Sequence, residues 1–188
     1  AGQLVATEVW FYANVASIAG GAISATVPVQ LTSCRLADNA LNAQESGTAG
    51  GAIYVEASLD VTACSFAGNV STDRGGAIYA GLSSVTTIYD SSFTGNSATT
   101  GGAVQVDGLL LAVNSTFVDN AATAVGGALA VTWDAVLLHL SVLDNLAPVG
   151  AAISSNGQFV VQNSVLRGSS SVCDSAENPD TTGSWVTD

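Results

Sequence analysis

Lysine and methionine are absent from this 188-residue chain, and histidine occurs once, at His139. Three arginines, Arg35, Arg74 and Arg167, stand against 15 acidic residues, for a net charge of −12. So few cations cannot neutralise a row of phosphates, which excludes nucleic acid and anionic membrane surfaces as partners. A single histidine cannot build a His-based metal site without further ligands, and no such ligands can be placed. Neither an EF-hand loop nor a glycine–aspartate nonapeptide calcium repeat occurs. No metal or other cofactor is therefore assigned. The chain is 48% hydrophobic, yet it lacks the run of roughly 18 apolar residues that a membrane helix needs. Direct membrane insertion is not expected. A sustained apolar period of 3.6 residues is also missing, so helices are not expected either. The lack of methionine is taken to mark a mature or excised segment of a larger protein.

What the chain does have is a repeat. A glycine pair followed by a small and an aliphatic residue recurs as Gly20-Gly21-Ala22-Ile23, Gly50-Gly51-Ala52-Ile53, Gly75-Gly76-Ala77-Ile78, Gly101-Gly102-Ala103-Val104 and Gly126-Gly127-Ala128-Leu129. Gly150-Ala151-Ala152-Ile153 is a weakened copy. Between the glycine pairs sits an apolar residue followed three positions later by asparagine: Phe11 with Asn14, Leu36 with Asn39, Phe66 with Asn69, Phe93 with Asn96, Phe117 with Asn120, and Val142 with Asn145. Leu166 with Ser169 is a faded seventh copy. The first full step is longer because residues 40–49 carry an insertion of about five residues, expected as a loop.

Short β-branched runs broken by Gly, Asn and Ser indicate strands and turns. In the coil beginning at Gly50, Ile53 and Val55 mark one strand, Val61 to Phe66 a second, and Asn69 a turn. Coils that cannot bury their apolar side alone must stack on one another. The fold expected is all-β: a right-handed parallel β-helix of six to seven coils of about 25 residues, forming one domain over 1–188. The repeats cover 11–169, and 170–188 are a coil remnant or linker. Stacking puts Ile23, Ile53, Ile78, Val104, Leu129 and Ile153 in one inner column and Leu36, Phe66, Phe93, Phe117, Val142 and Leu166 in another. Ser24, Tyr54, Tyr79, Gln105, Ala130 and Ser154 form a mixed column assigned to solvent. Asn14, Asn39, Asn69, Asn96, Asn120 and Asn145 are assigned to a structural ladder in which each amide bonds the next.

Cys34 and Cys64 occupy equivalent positions in neighbouring coils. They are either a disulfide, which suits an extracellular setting, or a buried reduced pair. Two glycosylation sequons occur, at Asn69 and Asn114. The repeat turns Asn69 inward and leaves Asn114 facing solvent, which makes Asn114 the candidate glycan site. His139 falls in an outward column with Ser33, Ala63, Asp90, Asn114 and Asn163, and is expected to be a surface residue. Ice binding would need outward threonine rows, and Thr86, Thr87, Thr99, Thr100 and Thr123 do not align into columns in the sequence.

β-Helices often carry polysaccharide-degrading enzymes, which need neighbouring carboxylates with a basic residue. Here no Asp-Asp pair, Gly-His-Gly or Arg-x-Lys occurs, and no nucleophile–base pair has a familiar spacing. No catalytic residue is assigned, and the chain is expected not to be an enzyme.

The paired motif, clearest in Gly50-Gly51-Ala52-Ile53 with Phe66-Ala67-Gly68-Asn69 and in Gly75-Gly76-Ala77-Ile78 with Phe93-Thr94-Gly95-Asn96, resembles the repeat of the polymorphic outer membrane proteins, chlamydial-type surface adhesins on a pectin-lyase-like β-helix. The resemblance spans residues 11–169. It implies a cell-surface passenger used in adhesion or as a stalk; a eukaryotic extracellular protein or a filament subunit fits the repeat equally well. Partners are expected at the open ends, as protein subunits or further coils of the same polypeptide. The alternative carried forward is a carbohydrate-active enzyme or carbohydrate-binding module on the same scaffold.

Overall fold

The computed structural model describes residues 2–42, 47–168, 173–175 and 185–187. Every named element is a β-strand and every pairing is parallel. One coil shows the plan. Ile53–Val55 lies in a sheet termed D here, Leu59–Thr62 in sheet A, Ser65–Ala67 in sheet B and Val70–Ser71 in a short sheet C. Each strand pairs with its equivalents one coil earlier and later, which yields sheets of seven (A), eight (B), five (C) and seven (D) strands. The strands Cys173–Ser175 and Trp185–Thr187 extend sheets D and B past residue 169. This is a parallel β-solenoid.

Two details differ from the expectation. The stretch from Val61 to Phe66 is not one strand: it bends at Ala63, whose φ is 54°. The polar stretch after Asn69 is not only a turn, because its first two residues form sheet C. Ala63 belongs to a column of left-handed corner residues that includes Ser33, Asp90, Asn114, His139 and Asn163, and Asp38, Gly68, Gly95, Asp119 and Asp144 form a second column. Most non-glycine corners are thus Asp, Asn or His, the side-chain types that tolerate this conformation best. The corners explain why many acids are scattered singly along the chain.

The glycine pair has two separate causes. Gly75 has φ 63°, and a Cβ there would lie 2.1 Å from the Ile78 carbonyl oxygen. Gly76 needs no special φ, but its Cβ would lie 2.0 Å from the Gly102 carbonyl oxygen one coil on. The first glycine therefore turns the chain, and the second lets adjacent coils touch.

Inside, identical residues stack in register. Phe66 and Phe93 are paired across sheet B, with ring centroids 4.6 Å apart and planes within 2°. Phe93 and Phe117 repeat this at 4.7 Å. These separations match the spacing of adjacent strands, about 4.8 Å, so ring contact and backbone pairing are met together.

At the corner between sheets B and C the asparagines form a continuous chain. Asn69 Nδ2 donates to Asn96 Oδ1 at 2.9 Å, and the Asn69 backbone N–H donates to the same oxygen at 3.0 Å. The other Nδ2 hydrogen goes backward to the Leu36 carbonyl. Asn39, Asn96 and Asn120 repeat the pattern. Asn39 through Asn145 are fully buried, whereas Asn14, at the first coil, is exposed. Replacing Asn96 by alanine strands the Asn69 N–H and one Asn69 amide hydrogen. At roughly 1–3 kcal/mol for each buried orphan, a loss of about 3–5 kcal/mol is expected. Urea denaturation of Asn96→Ala measures it; a change below about 1 kcal/mol would show that the ladder does not hold the coils together.

Candidate functional site

The second interior ladder runs through Cys34 and Cys64. The Cys34 backbone N–H donates to Cys64 Sγ at 3.3 Å, the Cys64 N–H to Ser91 Oγ at 3.0 Å, and the Ser91 N–H to Ser115 Oγ at 3.1 Å. Each sulfur or hydroxyl in turn donates to the carbonyl two residues before it. The structure places both cysteines as free, buried thiols. Parallel in-register stacking explains this. The two Cβ atoms point the same way about one strand spacing apart, roughly 4.8 Å, whereas a disulfide wants about 3.8 Å. Burial raises the Cys64 thiol to about 11, which keeps it protonated and unreactive.

The remaining sequence candidates do not assemble into one site. Asn114 is exposed at a left-handed corner, and its Nδ2 donates to Asp90 Oδ1 at 2.6 Å. His139 is exposed one coil further on. Among the described residues no group of three His, Cys, Asp or Glu could hold a metal. Threonines do align where the sequence steps are uneven. The register places Thr7, Thr32 and Thr62 side by side in sheet A. This row spans three coils, with Tyr89 following Thr62.

The site that the sequence reading missed lies on the outer face of sheet D. Ser24, Tyr54, Tyr79, Gln105, Ala130 and Ser154 do point outward, but Tyr79, Gln105 and Ala130 are buried rather than solvated. The cover comes from two flanking columns. Two residues beyond the outward column run Thr26, Glu56, Gly81, Asp107, Thr132 and Asn156. On the other flank, parallel bridges align Ala49, Arg74 and Thr100, and further bridges align Val125 and Val149. The same period-two step that identified the outward column would have found the first flank in the sequence. The second depends on irregular bridges and left no such signal.

Within this trough the polar groups are tightly committed. Tyr54 and Tyr79 stack with centroids 5.3 Å apart, and the Tyr54 hydroxyl donates to Glu56. Glu56 folds over Gly81, where a Cβ would meet its carboxylate at 2.1 Å. Asp107 is the hub. Its Oδ2 accepts from the Tyr79 hydroxyl at 2.7 Å and from Arg74 at 3.3 Å, and its Oδ1 accepts from Gln105 at 2.7 Å and Thr132 at 2.9 Å. The Arg74 guanidinium also lies 4.7 Å from the centre of the Tyr79 ring. Burial and the neighbouring Glu56 carboxylate raise the Tyr54 phenol to about 12, and burial with Asp107 raises Tyr79 further. Neither phenol supplies a base near neutral pH. These bonds hold the Tyr79, Gln105 and Thr132 side chains in fixed orientations around Asp107.

A β-solenoid with Phe-x-x-Asn corners and Gly-Gly turns is the class that this geometry defines. The Chlamydia polymorphic membrane protein repeat matches residues 63–81 and 90–107. Both stretches run from the cysteine–serine ladder through Phe-x-x-Asn to the glycine pair and its aliphatic residue, so the matched unit is the structural repeat itself. The chain carries this membrane-protein repeat at both places. No curated protein and no solved structure gives a significant match.

Since serine fills the cysteine position at Ser91, Ser115 and Ser164, with Leu140 breaking the column, Cys34→Ser and Cys64→Ser are expected to change stability by less than about 1 kcal/mol, whereas Cys64→Val removes the acceptor of the Cys34 N–H and costs about 1–3 kcal/mol. Denaturation of the three variants checks this. A loss of 2–5 kcal/mol in both serine variants is the signature of a disulfide instead.

Proposed function

We propose that the chain is a non-enzymatic structural and adhesive segment of a cell-surface or extracellular protein, joined to its assembly through the coil ends. The observation that carries this reading is the repeat, which matches a membrane-protein repeat over residues 63–81 and 90–107 and commits its distinctive residues to the interior. Trp10, Tyr12, Val15 and Ile18 are 75, 66, 68 and 77% exposed. Phe11, Leu4 and Ala6 belong to the core columns but are only partly buried. Asn14 donates forward to Asn39 Oδ1 at 2.8 Å, and its own carboxamide oxygen accepts no hydrogen bond among the described residues. A coil of the same kind would cover the rings, pair the open strand edges and donate to Asn14. Subunits of a filament or further coils of one polypeptide supply such a coil equally well. The surface character of the repeat family supports the location.

Sedimentation of the purified chain over a hundredfold concentration range tests the end. Association that grows with concentration and weakens at least tenfold in Trp10→Glu supports the reading. A monomer at every concentration, unchanged by Trp10→Glu, counts against it.

The outward Asn114 is the proposed glycan position. When the chain is secreted from a eukaryotic cell, peptide mass spectrometry should find glycan on Asn114 and none on Asn69, whose amide is fully buried. Occupancy at Asn69 would contradict the assignment.

A further inference from the structure

Beyond the Asp107 hub the outer face of sheet D drops into a hollow. The outward column shrinks from Tyr79 through Gln105 to Ala130 and Ser154, leaving a cavity of about 250 Å³. Ala130 and Ser154 form its floor, Thr100 with Val125 one wall, and Thr132 with Asn156 the other, and Asp174 stands at the far end. We propose that this hollow binds one neutral pyranose ring, as found at the end or branch of a glycan.

Size is the first reason. Sites for drug-sized ligands span roughly 300–1,000 Å³, so a single ring fits here and an extended chain does not. The second reason is the pattern of uncommitted polar groups. The Ser154 and Asn156 side chains bond to no other described residue, and both line the hollow. A ligand hydroxyl can therefore pair with each of them directly. The third reason is preorganisation. Asp107 holds Gln105 and Thr132 by 2.7 and 2.9 Å bonds, which fixes the Gln105 amide oxygen and the Thr132 hydroxyl oxygen as oriented acceptors before any ligand arrives. Val125 and Ala130 add an apolar surface, so the lining matches a ring with one apolar face and a rim of hydroxyls. Charge selects against acidic sugars. The hollow is bordered by Asp107 and Asp174, and the nearest cation, Arg74, is already paired with Asp107 at 3.3 Å.

This proposal deepens the adhesive reading and rests on it for its biological use, but its test does not. Methyl glucoside, methyl galactoside, methyl mannoside and glucuronate are titrated against the intact chain by saturation-transfer NMR. Saturable binding of at least one neutral pyranoside is expected, at a Kd below about 10 mM, with glucuronate at least tenfold weaker. Ser154→Trp fills the floor, and Asn156→Ala removes an exposed wall group without touching the core. Each should weaken binding at least tenfold, while Asn163→Ala, at a remote corner, should not. Asp107→Asn should weaken binding with the fold retained by circular dichroism, as befits a positioning residue. The proposal is overturned if no neutral pyranoside saturates, if glucuronate binds as tightly, or if Ser154→Trp and Asn156→Ala both bind like the parent. If sugars bind but the chain end does not associate, the assembly reading fails alone; the reverse result removes the hollow alone.

Discussion

The carboxamide bond from each ladder asparagine to the next is the contact on which the rest of the molecule depends. Its oxygen accepts two hydrogens from the coil before, one from the side chain and one from the backbone, as at Asn96. The second amide hydrogen of the donor returns to the carbonyl of a phenylalanine or leucine one coil earlier. Three backbone and side-chain groups at a sharp corner are thereby satisfied in a place water does not reach. Satisfying them requires the coils to lie in register, and register then stacks Phe66, Phe93 and Phe117 face to face. The glycine pair serves the same end, because a Cβ at Gly76 or Gly102 would push the next coil away.

The cysteine–serine column solves the equivalent problem at the corner between sheets A and B. A left-handed residue interrupts the regular pairing there, and the following N–H turns to a side-chain sulfur or oxygen one coil on. Sulfur and hydroxyl are interchangeable in that role, which is why cysteine and serine share the column. Two polar ladders and two apolar columns account for nearly every distinctive residue of the repeat. Any function is therefore left to the ends of the rod and its outer faces. The trough on sheet D has oriented hydrogen-bonding groups and two phenols kept protonated.

Much of this was legible in the chain. The spacing of the glycine pairs and asparagines gave the coil length, the parallel stacking and the identity of both apolar columns. It also separated buried Asn69 from exposed Asn114, although the two carry the same sequon. The break at Ala63 was less visible, because alanine gives no hint of a left-handed corner. The aligned threonines were hidden by uneven steps between coils, since Thr7, Thr32 and Thr62 come into line only through the pairing register of sheet A.

Periodic order is what the sequence by itself determined, for a physical reason: a solenoid repeats one local environment, so each column writes its chemistry into the chain at a fixed interval. Tertiary structure alone decided what happens between columns. Asp107 meets Arg74, a residue 33 positions earlier, because a bridge outside the regular strands brings one flank over sheet D. The hollow over Ala130 and Ser154 exists because large outward residues in earlier coils give way to small ones between two raised walls. Neither is a property of any single repeat. Both arise from differences between coils, and such differences acquire meaning only once the coils are stacked.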